Sequence, residues 1–222
     1  MLNDVFVNTY LSPAFDKKEI FRYAGCKDAD EGITRLLNEC LQECEGVFSY
    51  RVCYRVFKAE EFLQKFGNES KALAKNLESC TYAVAFAATV GLPIDRLIVK
   101  YANIAAAKAL LFQAIGAERI ESLCNAFCED MKTQAKEKGY FSRPRFSPGY
   151  GDFAIEAQTE LFRVLDCSRK IGLSLTEGLL MTPTKSVTAV VGLSKREKAC
   201  KVGCEVCEKT DCFMRKVPKM SS

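Results

Sequence analysis

One stretch in the middle of the chain, Thr81–Val90, constrains the fold more than any other. It is nearly all apolar and ends at Gly91, which is typical of a β-strand that is buried on both faces. Such a strand needs a layer of structure on each side. Pro93 then opens a long helical pattern, because proline is well tolerated in the first turn of a helix. This pattern continues to Lys138, with Gly116 as the expected kink.

The rest of the chain mixes helical and strand patterns without regular alternation. Apolar residues at helical spacing predict helices over Asp16–Ala24, Asp28–Glu45, Ser70–Glu78 and Ile155–Lys170. Composition and turn signals predict strands over Val47–Phe57, Leu173–Met181 and Ser186–Leu193. Because the elements do not form a βαβ series, the sequence predicts an α+β fold.

Length and charge narrow the class of protein. The 222 residues, 48% hydrophobic and 27% charged, predict one domain over residues 1–193, with residues 194–222 as an appendage. A net charge of +4 without a basic block gives little support for nucleic-acid binding. No apolar run is long enough to span a membrane, and Met1–Val5 does not resemble the start of a secretory signal. We therefore expect a cytoplasmic protein.

The absence of histidine removes several catalytic mechanisms. A Ser–His or Cys–His pair, a histidine base and a histidine metal ligand are all excluded. No phosphate-binding glycine motif is present either. The twelve cysteines of a cytoplasmic chain are expected to be thiols or metal ligands. The pairs Cys40/Cys44 and Cys124/Cys128 are interpreted as small apolar residues of the core.

Four cysteines of the appendage are close enough to share one metal centre. They are Cys200, Cys204, Cys207 and Cys212. Four thiolates suit one tetrahedral zinc ion or one iron–sulfur cluster, and the spacing does not decide between them. The alternative is a reduced tail that binds no metal. A radical enzyme that cleaves S-adenosylmethionine is disfavoured, since only fifteen residues follow Cys207.

The segment Arg143–Asp152 separates two helical patterns and carries the strongest signal of a ligand site. Its prolines and glycines stiffen the loop and allow close approach of a ligand. Arg145 can bind a carboxylate through two nitrogens, while Phe146 and Tyr150 offer flat apolar faces. The alternative is a rigid connector whose arginines face solvent. The nearby carboxylates are Glu118, Glu121, Glu129 and Asp152. We expect them to form a solvated face, unless one pairs with Arg145 or holds a ligand's amine.

Three segments, in this order, resemble one known family. Arg145–Asp152 is similar to its R-x-x-x-G-Y element, and Leu175–Val187 is similar to its L-T-E-S-x-x-M-x-P-x-x-S-V element. Phe86–Gly91, followed by Asp95–Ile98, resembles shorter free-standing members. The family is the activation, or reactivation, domain of cobalamin-dependent methionine synthase. The resemblance extends from about residue 18 to residue 193.

This resemblance implies a fold and a ligand. The fold is a curved α+β domain with a central, largely antiparallel twisted sheet and flanking helices. The ligand is S-adenosylmethionine, and Arg145 would bind its carboxylate, whereas Arg143 would return to the surface. No side chain of the protein is implied to be catalytic. The implied ligand-binding residues are Arg145, Phe146, Ser147, Gly149 and Tyr150.

The resemblance also implies a function in which two cofactors react. The domain would present the methyl group of S-adenosylmethionine to cobalamin on a partner protein. An electron from a flavodoxin-like donor and this methyl would then convert cob(II)alamin into methylcobalamin. The chain has no corrinoid, folate or homocysteine module, so it would act as a separate subunit. The alternatives are a non-catalytic ligand- or metal-binding module, or an electron-transfer accessory, of a corrinoid methyltransferase.

Two departures from the family pattern affect the expected ligand contacts. The strand after Ser186 and Val187 has aromatic residues in the full-length enzymes, whereas this chain has Thr188–Gly192. The family's P-G-Y-P-A-C continuation is replaced by Pro148–Phe153.

Overall fold

The computed structural model describes residues 4–26, 30–67 and 69–197. Its strands are β1 (Phe6–Thr9), β2 (Arg51–Lys58), β3 (Cys80–Thr89), β4 (Phe141–Ser142), β5 (Ser174–Leu175), β6 (Met181–Thr182) and β7 (Ser186–Ser194). Its helices are α1 (Lys17–Tyr23), α2 (Glu31–Glu43), α3 (Ala59–Phe66), α4 (Lys71–Asn76), α5 (Pro93–Ala102), α6 (Ala106–Glu137), α7 (Ala157–Leu165) and α8 (Cys167–Ile171).

A curled antiparallel sheet forms the centre of the domain. Its strand order is β1-β2-β3-β7-β4, and every neighbouring pair is antiparallel. The short strands β5 and β6 form a separate hairpin. The predicted α+β class and the largely antiparallel sheet are confirmed.

The central strand β3 is buried on both faces, as its composition predicts. Val84, Phe86 and Ala88 face a core built with α1, α2, α5 and α6. Ala83, Ala85 and Ala87 face a second core built with α3, α4, α7 and α8. Residues alternate between the faces because successive side chains of a strand point in opposite directions. The sheet is thus covered by helices on both sides.

The long helix α6 contains a fully buried ion pair. The Arg119 guanidinium bonds both oxygens of Glu118 at 2.5 Å and donates to the carbonyls of Pro13 and Ala14 at 2.6 and 2.9 Å. It also lies 4.2 Å from the centre of the Phe15 ring. Arg119 therefore fixes the segment before α1 against the middle of α6.

Several predicted element boundaries are wrong. The helical pattern from Pro93 breaks at Asn103–Ala105, whereas Gly116 lies inside α6. The predicted helix Ile155–Lys170 divides at Asp166, which has a left-handed φ of 50°. The predicted strand Leu173–Met181 is the β5–β6 hairpin. The strands β1 and β4 and the helix α3 were not predicted.

No helix in the described part of the chain is long and apolar enough to cross a membrane. This agrees with the absence of a long apolar run in the sequence.

Candidate functional site

The loop that carries the predicted site is an irregular continuation of the sheet edge. After β4, the backbone N–H of Arg143 donates to the Gly192 carbonyl at 2.7 Å. Phe146 and Val190 then exchange two backbone hydrogen bonds, of 2.9 and 2.8 Å. These bonds fix both ends of the segment 143–146 along β7. Arg145 therefore extends from a backbone that the sheet holds in place.

Beyond Phe146 the chain closes a tight turn. The N–H of Gly149 donates to the Phe153 carbonyl at 2.7 Å, and the N–H of Tyr150 donates to the Ser147 carbonyl at 3.2 Å. Gly149 has a φ of +88° and Gly151 a φ of +57°, in the left-handed region that favours glycine. The glycine of the R-x-x-x-G-Y stretch and the glycine that follows the stretch thus suit the turn itself.

Asp152 fastens this turn to the start of α4. Its carboxylate accepts hydrogen bonds from the Ser70 hydroxyl at 2.6 Å and from the N–H groups of Lys71 and Ala72 at 2.9 and 3.0 Å. The Ser70 bond, followed by these backbone bonds, lowers the pKa of the Asp152 carboxyl. Ser70 also caps the helix by accepting from the N–H of Leu73 at 3.0 Å.

The Arg145 guanidinium lies against α6. Its Nη2 donates to Glu121 Oε2, whereas its Nη1 is buried and has no hydrogen-bond partner among the described residues. Cys124 and Cys128 lie beside the same guanidinium. Burial raises the pKa of both thiols, so they are neutral near pH 7. The site thus holds one arginine, one carboxylate and two uncharged sulfurs.

The other carboxylates of α6 separate into different roles. Glu118 is buried and bound to Arg119, so the prediction that it lies on a solvated face is wrong. Glu129 is exposed and pairs with Lys132, as predicted for a solvated face. Glu121 is the carboxylate that pairs with Arg145.

The prediction that Arg143 returns to the surface is also wrong. Its side chain is buried, and its Cγ stands 3.2 Å from the position that a Cβ on Gly192 would occupy. The stem of Arg143 therefore lies over a glycine of β7. Local composition could not show this, because the burial depends on a residue 49 positions away.

The remaining predicted ligand-binding residues differ in accessibility. Phe146 stacks on Phe153, with ring centres 6.2 Å apart, and belongs to the second core. Ser147 is half-buried, whereas Gly149 and Tyr150 are exposed, Tyr150 by 67%. Phe146 therefore supports the loop, and Tyr150 presents an open ring. That these residues share one ligand site remains a prediction.

A second cation reaches α6 from the start of β7. Lys185 Nζ donates to Gln113 Oε1 at 2.5 Å. Burial lowers the pKa of Lys185, an effect that Asp95 partly offsets. From the sequence alone, Lys185, like Lys100 and Lys108, could be activated only by burial. Its place in Leu175–Val187 was the one signal that could have linked it to the site.

The predicted metal ligands Cys200, Cys204, Cys207 and Cys212 lie outside the described residues. Within the described ranges, no group of three or more Cys, Asp or Glu side chains could hold a metal ion.

Comparison with known protein families shows which family the chain belongs to. The family described as "Vitamin B12 dependent methionine synthase, activation domain" matches residues 70–212, well over half of the chain. The chain belongs to this family. The match includes both Arg145–Asp152 and Leu175–Val187, and it extends beyond the domain boundary expected at residue 193. No curated protein matches the sequence significantly.

A solved structure supports the same fold. The crystal structure of the MetH reactivation domain bound to AdoHcy superposes with a TM-score of 0.59 at 17% sequence identity. The alignment covers 89% of this chain and 80% of that one. The likeness therefore includes the N-terminal elements that precede residue 70.

Proposed function

We propose that this chain binds S-adenosylmethionine and that Arg145 binds its carboxylate. The observation that carries the proposal is the buried Nη1 of Arg145, which has no partner among the described residues. A buried donor without an acceptor is costly, and a ligand carboxylate would supply that acceptor. The AdoHcy bound to the structural neighbour has the same amino-acid end and supports this choice.

Glu121 would hold the ammonium group of the same ligand. The carboxylate stands beside Arg145 and its side chain is 40% exposed, so a ligand can reach it. An amino-acid end carries an ammonium group and a carboxylate on the same carbon atom. A neighbouring arginine and glutamate match that arrangement, and each would gain a charge-assisted hydrogen bond.

The turn after Phe146 would form the wall of the site. Gly149 and Gly151 adopt left-handed φ angles, so they set the shape of the turn that would form this wall. The exposed ring of Tyr150 and the half-buried Ser147 would contact the ligand from the same turn. Asp152, bound to the start of α4, would hold this wall rigid before any ligand arrives.

The proposed role is reductive remethylation of cob(II)alamin carried by a separate corrinoid protein. S-adenosylmethionine would supply the methyl group, and the partner would supply the cobalt. The residues of this chain bind and orient, and none of them is proposed as a catalyst. The raised pKa of Cys124 and Cys128 keeps both thiols protonated, which protects them from methylation by the sulfonium. A flavodoxin-like protein is the proposed electron donor.

Calorimetric titration with S-adenosylmethionine and with AdoHcy tests the binding step. We expect wild type to bind both and Arg145→Ala to lose at least about tenfold in affinity, because hydrogen bonds to charged groups contribute about 1.5–3 kcal/mol. Arg163→Ala is the matched control, since Arg163 is an exposed arginine that pairs with Glu160. Failure of wild type to bind either ligand would refute the proposal.

A methyl-transfer assay separates this role from a non-catalytic module. Purified corrinoid partner, a reductant and S-adenosylmethionine should give methylcobalamin only when this chain is present. If the ligand binds but the partner is never methylated, the chain is a regulatory or docking module instead.

The cysteine spacing favours a metal centre as a second function. We propose that Cys200, Cys204, Cys207 and Cys212 bind zinc or an iron–sulfur cluster, because four thiols within thirteen residues can reach one centre. Anaerobic purification followed by metal analysis tests this. A brown, iron-containing protein would support the electron-transfer accessory, colourless protein with zinc would exclude it, and metal-free protein would refute the site.

A further inference from the structure

The helix α6 presents an accessible row of side chains between two cations. Gln113, Ala117 and Glu121 follow at intervals of four residues, so they lie along one side of the helix. Gln113 is exposed, and Ala117 and Glu121 are half-exposed. Lys185 bonds the first member of this row, and Arg145 bonds the last. Ala117, which lies between them in this row, has a small side chain.

Both cations approach α6 from the same side of the sheet. Along β7, Val187, Ala189 and Val191 pack in the core that includes α6. Lys185 precedes Val187 by two residues, and residues two apart along a strand face the same side of the sheet. Arg145 precedes Phe146, which pairs with Val190 and packs in the opposite core. The two ends of the row are eight residues apart, or about 12 Å along the helix axis.

The amine of Lys185 is held in a defined position. A Cβ on Gly116 would stand 2.8 Å from Lys185 Cγ and 3.0 Å from its Cε, so the lysine stem lies directly on the helix backbone. The Lys185 carbonyl accepts from the N–H of Val90 at 3.2 Å. The preceding Thr184 is bound to Asp95 through its N–H and its hydroxyl, at 2.8 and 2.6 Å.

We propose that Lys185 and Gln113 bind the adenosine end of the ligand whose amino-acid end is held by Arg145 and Glu121. This inference rests on the proposed function. An ammonium group and a side-chain amide supply both donors and an acceptor, which suits uncharged ribose hydroxyls and ring nitrogens. The lysine stands at an unspecified position of the P-x-x-S-V element, so this contact would be a property of this chain.

Substitution of each polar group tests the inference. Lys185→Met keeps the stem over Gly116 and removes the donor. Gln113→Leu removes the amide from an exposed side chain. We expect each variant to bind AdoHcy and 5′-methylthioadenosine about three- to tenfold more weakly, as for one or two lost hydrogen bonds. Arg145→Ala should weaken AdoHcy alone, because methylthioadenosine has no amino-acid end.

Lys132→Met is the matched control, since Lys132 is an exposed lysine on the same helix. Thermal unfolding of the free variants checks that they fold. If wild type binds AdoHcy and both variants bind it equally well, the inference is overturned while the proposed function stands. If Lys185→Met weakens AdoHcy but leaves methylthioadenosine unchanged, the lysine does not contact the nucleoside and the inference is also overturned. Absence of AdoHcy binding by wild type would overturn both.

Discussion

The guanidinium of Arg145 and the carboxylate of Glu121 form an ion pair between the loop after β4 and the middle of α6. The arginine side chain is 25% exposed and the glutamate side chain 40%, so the pair is only partly buried. Only one terminal nitrogen of Arg145 is used by Glu121. The pair therefore leaves Nη1, a buried donor of Arg145, without a partner among the described residues.

The Glu121→Gln variant should show whether Glu121 binds the ammonium group of the ligand's amino-acid end. We expect AdoHcy to bind at least about tenfold more weakly, because the ammonium group loses a charged partner. A deaminated AdoHcy analogue should bind the variant as well as wild type or better, since Arg145 no longer has to share its charge with Glu121. Calorimetry with both ligands measures the difference.

Glu129→Gln, an exposed carboxylate on the same helix, is the control for that experiment. Equal losses for AdoHcy and for its deaminated analogue would show that Glu121 acts only by positioning Arg145. The assignment of the ammonium to Glu121 would then be wrong.

Asp152 should make the stability of the protein depend on pH. The bond from Ser70 and the backbone bonds at the start of α4 lower the pKa of its carboxyl in the folded state. A carboxyl whose pKa is lowered by folding stabilises the protein at pH values above its unfolded pKa, which is about 4. This stabilisation is lost as the pH falls through the folded pKa. Asp152→Asn should therefore lower the melting temperature at pH 7, and the gap to wild type should narrow in acid.

Ser70→Ala tests the same connection from the other side. Loss of the helix cap should cost about 1 kcal/mol, and the pH dependence due to Asp152 should weaken because its hydroxyl partner is gone. Melting temperatures of both variants across pH 3–7 give the comparison. A constant gap between Asp152→Asn and wild type over that range would contradict the assignment.

The buried pair of Arg119 and Glu118 should dominate the stability of α6. Arg119→Met leaves a buried carboxylate and two backbone carbonyls without their donor, so we expect a loss of about 3–5 kcal/mol in the free energy of unfolding. The double variant with Glu118→Met should recover part of that loss, because no uncompensated charge remains. Denaturant unfolding measures both.

The exposed pair of Lys132 and Glu129 is the contrast, with both side chains at least 60% exposed. Its removal should change stability by less than about 1 kcal/mol. A similar effect for both pairs would mean that burial of Arg119 contributes nothing beyond an ordinary surface pair.

The sequence predicted those features whose cause is local. Thr81–Val90 indicated a doubly buried strand because every position in it is apolar or small, and β3 is that strand. Arg145 could be singled out because prolines and glycines stiffen its own segment. Ser70 could be recognised as a cap from its position before a helical pattern.

The failures concern features that depend on distant residues. The left-handed conformation of Asp166 divides two helices, although the apolar pattern continues through it. The two-residue β4 exists only because β7 supplies hydrogen bonds at its edge. Arg143 is buried because Gly192 leaves room for its stem. Glu118 is buried together with Arg119, whose guanidinium also binds the distant carbonyls of Pro13 and Ala14. No local pattern encodes these pairings.

Gly116→Ala should separate ligand binding from stability. Alanine favours a helix interior over glycine by about 1 kcal/mol, which should offset part of the cost of the added methyl group. That methyl would stand 2.8 Å from Lys185 Cγ, so the flexible lysine stem must move off the helix. We expect the free energy of unfolding to change by no more than about 1 kcal/mol, while AdoHcy binds about three- to tenfold more weakly.

The double variant Gly116→Ala with Lys185→Met tests whether the two residues act together. Because each substitution removes the same lysine contact with the ligand, adding Lys185→Met to Gly116→Ala should bring no further loss of affinity. Independent, additive losses in the double variant would show that Gly116 and Lys185 act on the ligand separately.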